Sequence, residues 1–336
     1  MERIALRSTL VPVDDSARVS EVRRVAVASA QLEGLAQLAA DEVAIVATEL
    51  ATNLLKHARS GEVHIRPLSL TGDPGIEVLS IDRGPGIADL AATVVDGFST
   101  TATAGTGLGA VARLSDVFDA YSEPSRGTVA VARKFRGDGR PARWTFGAVQ
   151  VPFPGEVACG DNWSVRRHGS SIFLIVADGL GHGILAAEAS GAAVKAFQTS
   201  APESPAAILD KVHLGLRATR GAAVAVTQID AGRGVIRYAG LGNISGVLLG
   251  GGRTQFMVSH NGTAGLEARR VQQFEYPMPA EAVIVMHSDG VSTNWSANTH
   301  PGLLRRHPSV IAGWLYREAS RGRDDACVVA GRFMQE

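Results

Sequence analysis

The stretch Ile172-Phe173-Leu174-Ile175-Val176-Ala177-Asp178-Gly179-Leu180-Gly181-His182-Gly183 decides how the second half of this chain is read. An unbroken apolar run predicts a buried strand. A carboxylate at its end, followed by a glycine whose backbone permits close approach, suits a hard cation. The same grammar recurs elsewhere. Gly160-Asp161 lies just upstream, His287-Ser288-Asp289-Gly290 follows Val283-Ile284-Val285-Met286, and Arg323-Asp324-Asp325 precedes Cys327-Val328-Val329-Ala330. Any single Asp-Gly pair reads as a turn. Aspartates repeated at the margins of strand-like runs point instead to an oxygen-lined metal centre. Mg²⁺ and Mn²⁺ prefer oxygen ligands, and two of them ~3.5–4 Å apart can share a carboxylate and a water, activating that water for in-line attack on phosphorus.

A second constellation lies between Asp41 and Gly127. Asp41 is positioned to cap a helix running to about Ala58, because Val43, Val46, Ala47, Leu50, Leu54 and Leu55 recur at helical spacing and Ser60-Gly61 supply a stop. On that helix Glu49 and Asn53 stand four apart and share a face. A strand, Ile76–Ile81, follows and ends in Asp82-Arg83-Gly84-Pro85-Gly86-Ile87. Then Gly105-Thr106-Gly107-Leu108-Gly109 opens an apolar helix through Val111 and Leu114. Glycines before a helix let backbone N–H groups face a phosphate. The strand, helix and acidic spacing of a dinucleotide fingerprint are missing, and there is no G-x-x-x-x-G-K-[ST] run, so the order Glu-x-x-x-Asn, Asp-x-Gly-x-Gly, Gly-x-Gly-x-Gly points away from Rossmann and P-loop sites.

From Thr145 to Phe333 the chain resembles the SpoIIE group of metal-dependent (PPM-type) serine/threonine protein phosphatases, and within it the stressosome feedback phosphatases. The matching pieces are Cys159-Gly160-Asp161, Val176 to Gly181, Arg220-Gly221-Ala222-Ala223, Gly240-Leu241-Gly242-Asn243, His287 to Gly290 and Arg323-Asp324-Asp325. The resemblance implies that Asp178 bridges two Mn²⁺ or Mg²⁺ ions and is the central catalytic carboxylate. It also implies that the Gly179 carbonyl contributes to one ion, that Asp289 and Asp324 complete the centre, and that Asp161 lies at or near it. Asp325 follows a ligand and need not touch metal.

Residues 3–135 resemble the GHKL ATP-binding fold, most closely its anti-sigma-type serine kinases and stressosome switch kinases. Thr48-Glu49-Leu50-Ala51-Thr52-Asn53, Asp96-Gly97-Phe98-Ser99-Thr100 and Arg113 to Phe118 carry the likeness. By that resemblance Asn53 holds Mg²⁺ against the phosphates of ATP and Glu49 is the base for the attacking serine hydroxyl. Asp82 bonds the adenine amino group, Gly84 and Gly86 shape the wall beside the base, and Gly105, Gly107 and Gly109 form a lid over the phosphates. Positioning and charge neutralisation do most of the chemistry of phosphoryl transfer. The clients implied are STAS-domain proteins of a partner-switching pathway, phosphorylated by the first half and dephosphorylated by the second. A downstream regulator bound by the kinase domain is a further implied partner. A nucleotide- or partner-sensing first domain that gates the phosphatase without turnover is the alternative reading.

The expected organisation is α+β in two domains. Residues 1–135 would form a GHKL α/β sandwich with a mixed sheet, 136–144 a polar Gly- and Pro-bearing linker, and 145–336 a PPM-type α-β-β-α sandwich. With 33 basic and 33 acidic residues among 336, the chain shows no electrostatic footprint for nucleic acid or an anionic membrane. Two cysteines make no disulfide framework, and no apolar run reaches the ~20 residues of a membrane span, so a reducing cytoplasm is the expected compartment. Cys159 reads as a small buried residue rather than a nucleophile. Lys56 reads as solvated and His57 as structural. His182 could serve as an acid for the leaving oxygen, although related phosphatases carry other residues there. Arg220 reads as a strand entry or a phosphate clamp.

Overall fold

The computed structural model describes residues 8–58, 60–71, 74–94, 107–137, 144–267 and 271–333. They form two compact units: Met1–Pro141 with Ala297–Arg317, and Ala142–Ser296 with Glu318–Glu336.

In the first unit, β1 (Thr9–Val13), β2 (Gly61–Pro67), β3 (Gly75–Asp82), β4 (Val117–Glu123) and β5 (Gly127–Phe135) make one sheet in the order β1-β2-β3-β5-β4. Every neighbouring pair is antiparallel, which corrects the mixed sheet expected from sequence. The connections explain why. β2–β3 and β4–β5 are joined by short links that only antiparallel neighbours allow, and the helix pair between β1 and β2 returns the chain in the opposite sense.

That pair is α1 (Ser16–Leu32), capped by the Asp15 side chain accepting from the Arg18 N–H, and α2 (Gln37–Asn53). The helix α2 starts a turn before the expected Asp41 cap. Its buried stripe extends back to Ala40, Ala36 occupies the N-cap without a side-chain bond, and Asp41 sits inside the helix accepting from Gln37 Nε2 at 2.9 Å. At its far end the helix passes into a π-helical turn, Leu54–Ala58. Two short helices, α3 (Leu90–Val94) and α4 (Gly107–Leu114), complete this half.

Side chains alternate across the sheet. Val63 and Ile65 of β2, Val78 of β3, and Ala130 and Ala132 of β5 join the core formed with Val22, Ala26, Val43, Ala47 and Leu50. On the opposite face His64, Arg66, Glu77, Leu79, Val131 and Arg133 are also buried.

The second unit is a sandwich of two antiparallel five-stranded sheets. Its strands are β6 (Trp144–Val151), β7 (Asp161–His168), β8 (Ser171–Gly179), β9 (Ala222–Asp230), β10 (Val235–Leu241), β11 (Ser245–Gly250), β12 (Arg253–Met257), β13 (Phe274–Pro277), β14 (Val283–His287) and β15 (Ala326–Phe333). One sheet runs β13-β10-β9-β8-β7 and the other β12-β11-β14-β15-β6. Trp144 opens a strand and is buried, so it does not belong to the linker; residues 138–143 of that linker lie outside the described residues.

The apolar run of β8 is continuous because both of its faces are covered. Ile172, Leu174 and Val176 enter the core between the sheets, while Phe173, Ile175 and Ala177 pack with α5 (Ile184–Thr199) and α6 (Pro205–Gly215). Arg166 holds the C-terminal end of α5, lying over the Phe173 and Phe197 rings and donating to the Ser200 carbonyl.

The final helix, α7 (Pro308–Ala319), falls in sequence between β14 and β15, yet Ala297–Arg317 clusters with the first unit. There Ser309 Oγ donates to Glu77 Oε2 at 2.6 Å, and Trp314 meets Tyr121 edge to face at 4.8 Å. This segment therefore packs on the sheet face opposite α1 and α2.

Candidate active sites

The aspartates of the second unit gather because both sheets end their strands at the same place. Asp161 opens β7 and pairs directly across the ladder with Asp178, the penultimate residue of β8. In the other sheet His287 pairs with Val328, so Asp289, just past β14, and Asp324-Asp325, just before β15, are brought to one end. Ser288 ties the two sets together. Its hydroxyl donates to Asp161 Oδ2 at 2.6 Å and accepts from the Cys327 N–H at 2.9 Å. Asn243 Nδ2 donates to Asp289 Oδ2 at 2.7 Å, and the Phe153 N–H donates to Asp325 Oδ1 at 2.8 Å. Gly179 lies so close to the Ala186 backbone that a side chain there would collide with it.

The electrostatics follow from this crowding. Burial, then repulsion by Asp289, Asp324 and Asp325, pushes the Asp178 carboxyl up to about 7. Asp161 is raised well above the carboxylate range by burial and by Asp178, against the lowering effect of the Ser288 bond. Asp289 is raised by burial and by Asp324. Asp161 Oδ1 and Asp325 Oδ2 are buried without a hydrogen-bond partner. Carboxylates that repel one another, with buried oxygens lacking donors, fit a divalent cation as the missing countercharge. No set of three carboxylate, histidine or cysteine side chains among the described residues is already drawn together as a closed cation cage.

Nearby, His182 is half exposed, bonds Glu156 Oε1 through Nδ1 at 2.8 Å and stacks on Phe153 at 4.3 Å. Arg220 is exposed, and its guanidinium lies beside Gly181. Cys159 donates to the Val151 carbonyl at 3.3 Å, and burial pushes its thiol far up, the wrong direction for a nucleophile. Ser288 was not singled out from sequence. Its signal was its place inside His-Ser-Asp-Gly, between a strand end and a ligand. Asn243 stood in a matching motif with no role attached to it.

In the first unit Glu49 and Asn53 are half-buried on α2, one turn apart, and Asn53 is the last residue before the π turn. Such turns interrupt α-helices at functional sites more often than elsewhere. Asp82 ends β3 opposite Gly61, and a Cβ on Gly61 would sit 2.8 Å from the Leu54 side chain. Gly84 approaches the turn in the same way, its Cβ position being 2.8 Å from Ala58. These contacts bring the end of α2 against the end of β3. Asp82 Oδ1 accepts the Gly84 N–H at 2.7 Å, and burial raises the carboxyl, opposed by that bond. Gly86 has φ +73 and presses on the Glu123 carbonyl, so only glycine fits there. Gly107 and Gly109 lie in the first turn of α4, which packs on α2. Gly105 and the stretch Asp96 to Thr100 lie outside the described residues. Lys56 and His57 are exposed.

Comparison with known proteins resolves the two halves. The model of the histidine kinase-like ATPase domain matches residues 13–134, and that of Stage II sporulation protein E (SpoIIE) matches residues 168–333. The chain joins a GHKL-like ATPase domain to a SpoIIE-type PPM phosphatase domain. Over 88 residues it is 38% identical to the serine/threonine-protein kinase RsbT of Bacillus subtilis, a match covering 26% of this chain and 66% of RsbT, just under two thirds of that protein. It is 23% identical over 187 residues to the phosphoserine phosphatase RsbX of the same organism, covering 55% of this chain and 92% of RsbX. A structure solved in work on the bacterial stressosome as a modular system for secondary-messenger signalling is 27% identical, with a TM-score of 0.53, covering 56% of this chain and 99% of that one. Among the described residues no helix is long and apolar enough to cross a membrane.

Proposed function

We propose that this chain is a two-way switch enzyme of a bacterial partner-switching pathway in the cytoplasm. Its first unit would phosphorylate a STAS-domain protein on serine or threonine with Mg-ATP, and its second would remove the phosphate with two Mn²⁺ or Mg²⁺ ions. The crowding of Asp161, Asp178, Asp289 and Asp324, with Asp178 pushed up to about 7, carries the phosphatase half of this reading. Likeness to RsbT and RsbX supports the pairing of opposite activities on one client. A fused chain also raises the effective concentration of each activity around that client.

In the phosphatase unit, Asp178, the Gly179 carbonyl, Asp289 and Asp324 would hold the cations, with Asp161 beside them. When bound, the cations supply an activated water and offset phosphate charge. Ser288 fixes the Asp161 carboxylate and Asn243 fixes Asp289, so neither ligand has to reorient on binding. In the kinase unit, Asn53 would hold Mg²⁺ and Asp82 the adenine. Glu49 would take the proton of the client hydroxyl, with Gly84 and Gly86 forming the base wall and Gly105, Gly107 and Gly109 the lid.

A second reading keeps the first unit as a non-catalytic, anti-sigma-like ATP- or partner-binding domain that gates the phosphatase. Binding needs Asn53 and the glycines but no base, so the presence of Glu49 favours turnover. Incubating the purified chain with radiolabelled ATP and an unphosphorylated STAS protein separates the two. Label transfer by Asp178→Asn that is lost in Asp178→Asn/Glu49→Ala, with ATP binding retained, supports the kinase. No transfer by Asp178→Asn despite ATP binding supports the gating domain.

A further inference from the structure

Ser309, Gly313 and Arg317 stand four apart on α7, so they form one stripe along the helix, and all three belong to the first unit. The stripe follows β3. Ser309 Oγ donates to Glu77 Oε2 at 2.6 Å, and Gly313 lies where a Cβ would come 2.8 Å from Val129 and 3.3 Å from Ile81. Arg317 Nε donates to the Asp82 carbonyl at 2.7 Å. Glycine at the middle position lets the helix approach closely enough for both ends to reach. Arg317 is only 5% exposed, and its guanidinium lies 4.6 Å above the buried Trp314 ring, which fixes its direction.

The bond falls where β3 loses its support from the sheet. The ladder with β5 ends at the Ile81–Val129 pair, and the next backbone N–H on β5, that of Thr128, is given to the Asp82 side chain. Gly127, with φ +99, presses on the Asp82 carbonyl, leaving no room for a side chain between them. Held by Arg317, that carbonyl fixes the peptide plane from which Arg83 and Gly84 depart. The Gly84 N–H in turn donates to Asp82 Oδ1 at 2.7 Å. Arg317 thus sets the turn, and the turn sets the carboxylate. An acceptor that must recognise one amino group needs this kind of support, because a loose one gives up the selectivity of its bond.

The histidine kinase-like ATPase model matches residues 13–134, whereas Arg317 falls within the stretch 168–333 matched by the SpoIIE model. The nucleotide unit therefore draws this residue from outside its own family match. We propose that Arg317 is a positioning residue for adenine recognition, holding the end of β3 so that the Asp82 carboxylate meets the amino group of the base. The inference rests on the proposed ATP site of the first unit.

The test is calorimetric titration of the full chain, at saturating Mg²⁺, with ADP and with its analogue lacking the 6-amino group. Wild type is compared with Arg317→Met and Arg317→Gln. Both substitutions remove the charge and keep the chain length to the Nε position, but only glutamine keeps an N–H there. Wild type is expected to prefer ADP ~10-fold or more, Arg317→Met less than ~3-fold, and Arg317→Gln within ~2-fold of wild type. Should Arg317→Met fail to fold, Arg317→Lys, which puts a methylene where Nε stands, carries the same comparison. An undiminished preference in Arg317→Met overturns the inference, as does an equal loss in the methionine and glutamine variants. Wild type that binds ADP without preferring it overturns the adenine role of Asp82 and the inference with it. No ADP binding by wild type overturns the ATP site itself.

Discussion

Glu77 sits on β3 with 1% of its surface exposed, between Arg66 at 2.7 Å and Arg133 at 2.7 Å. Burial alone would raise its carboxyl, but the two arginines, with help from His307 and Ser309, hold it at about 2. The folded-state value is depressed, so the stabilisation is present above the ordinary value of 4.5 and is lost as pH falls through about 2. At 1.36 kcal/mol per pKa unit it amounts to ~3 kcal/mol. Glu77→Gln leaves two buried guanidiniums without their carboxylate and is expected to cost ~3–5 kcal/mol in urea denaturation of the first unit at pH 7. A loss below ~1 kcal/mol would mean the arginines find other partners. Asp178 works in the opposite sense. Its carboxyl is raised to about 7 in the cation-free protein, so that protein loses stability as pH rises from the ordinary 3.8 through 7. Protons and cations compete for the same oxygens, and Mn²⁺ affinity is expected to climb between pH 6 and 8 and then level off. Cation-free Asp178→Asn should melt above the cation-free wild type at pH 8, because one of the mutually repelling charges has gone.

At the scale of elements, α2 and β3 are expected to act together. Asn53→Ala is expected to abolish Mg-ATP binding in calorimetry while phosphoserine hydrolysis persists. Much of this was legible in the sequence. The apolar run before Asp178 announced a buried strand, though not that both of its faces are covered, and the Glu49–Asn53 spacing announced one helical face. The start of α2 was misread because Asp41 is a good capping residue by type, whereas the buried stripe reaching back to Ala40 outweighs it. The antiparallel character of the first sheet was not legible, since strand direction depends on how connections close rather than on side chains. Least legible was the partner of α7. Val310, Ile311, Trp314 and Leu315 mark it as buried, but an apolar stripe does not say which sheet it covers. The clue was on the sheet: Glu77 and Arg133 point away from α1 and α2 into a face that must be paired by something.

For the whole molecule, the unit boundaries imply that residues 1–141 alone lack the helix covering their second sheet face, including the Ser309 bond to Glu77. Expressed by itself, that fragment is expected to be less soluble and to unfold at lower urea than the same unit in the full chain. Equal midpoints would show that α7 contributes nothing there. The two halves together form a chain whose opposing activities would act on one client. The most direct measurement follows the phosphate on a phosphoserine STAS protein, with wild type and Asp178→Asn, in Mn²⁺ and with or without ATP. Mn²⁺-dependent loss of phosphate by wild type alone, and ATP-driven gain on the unphosphorylated client by the variant, are the expected results. Retained phosphatase turnover in Asp178→Asn, or no change in either direction with either protein, would contradict the two-way switch.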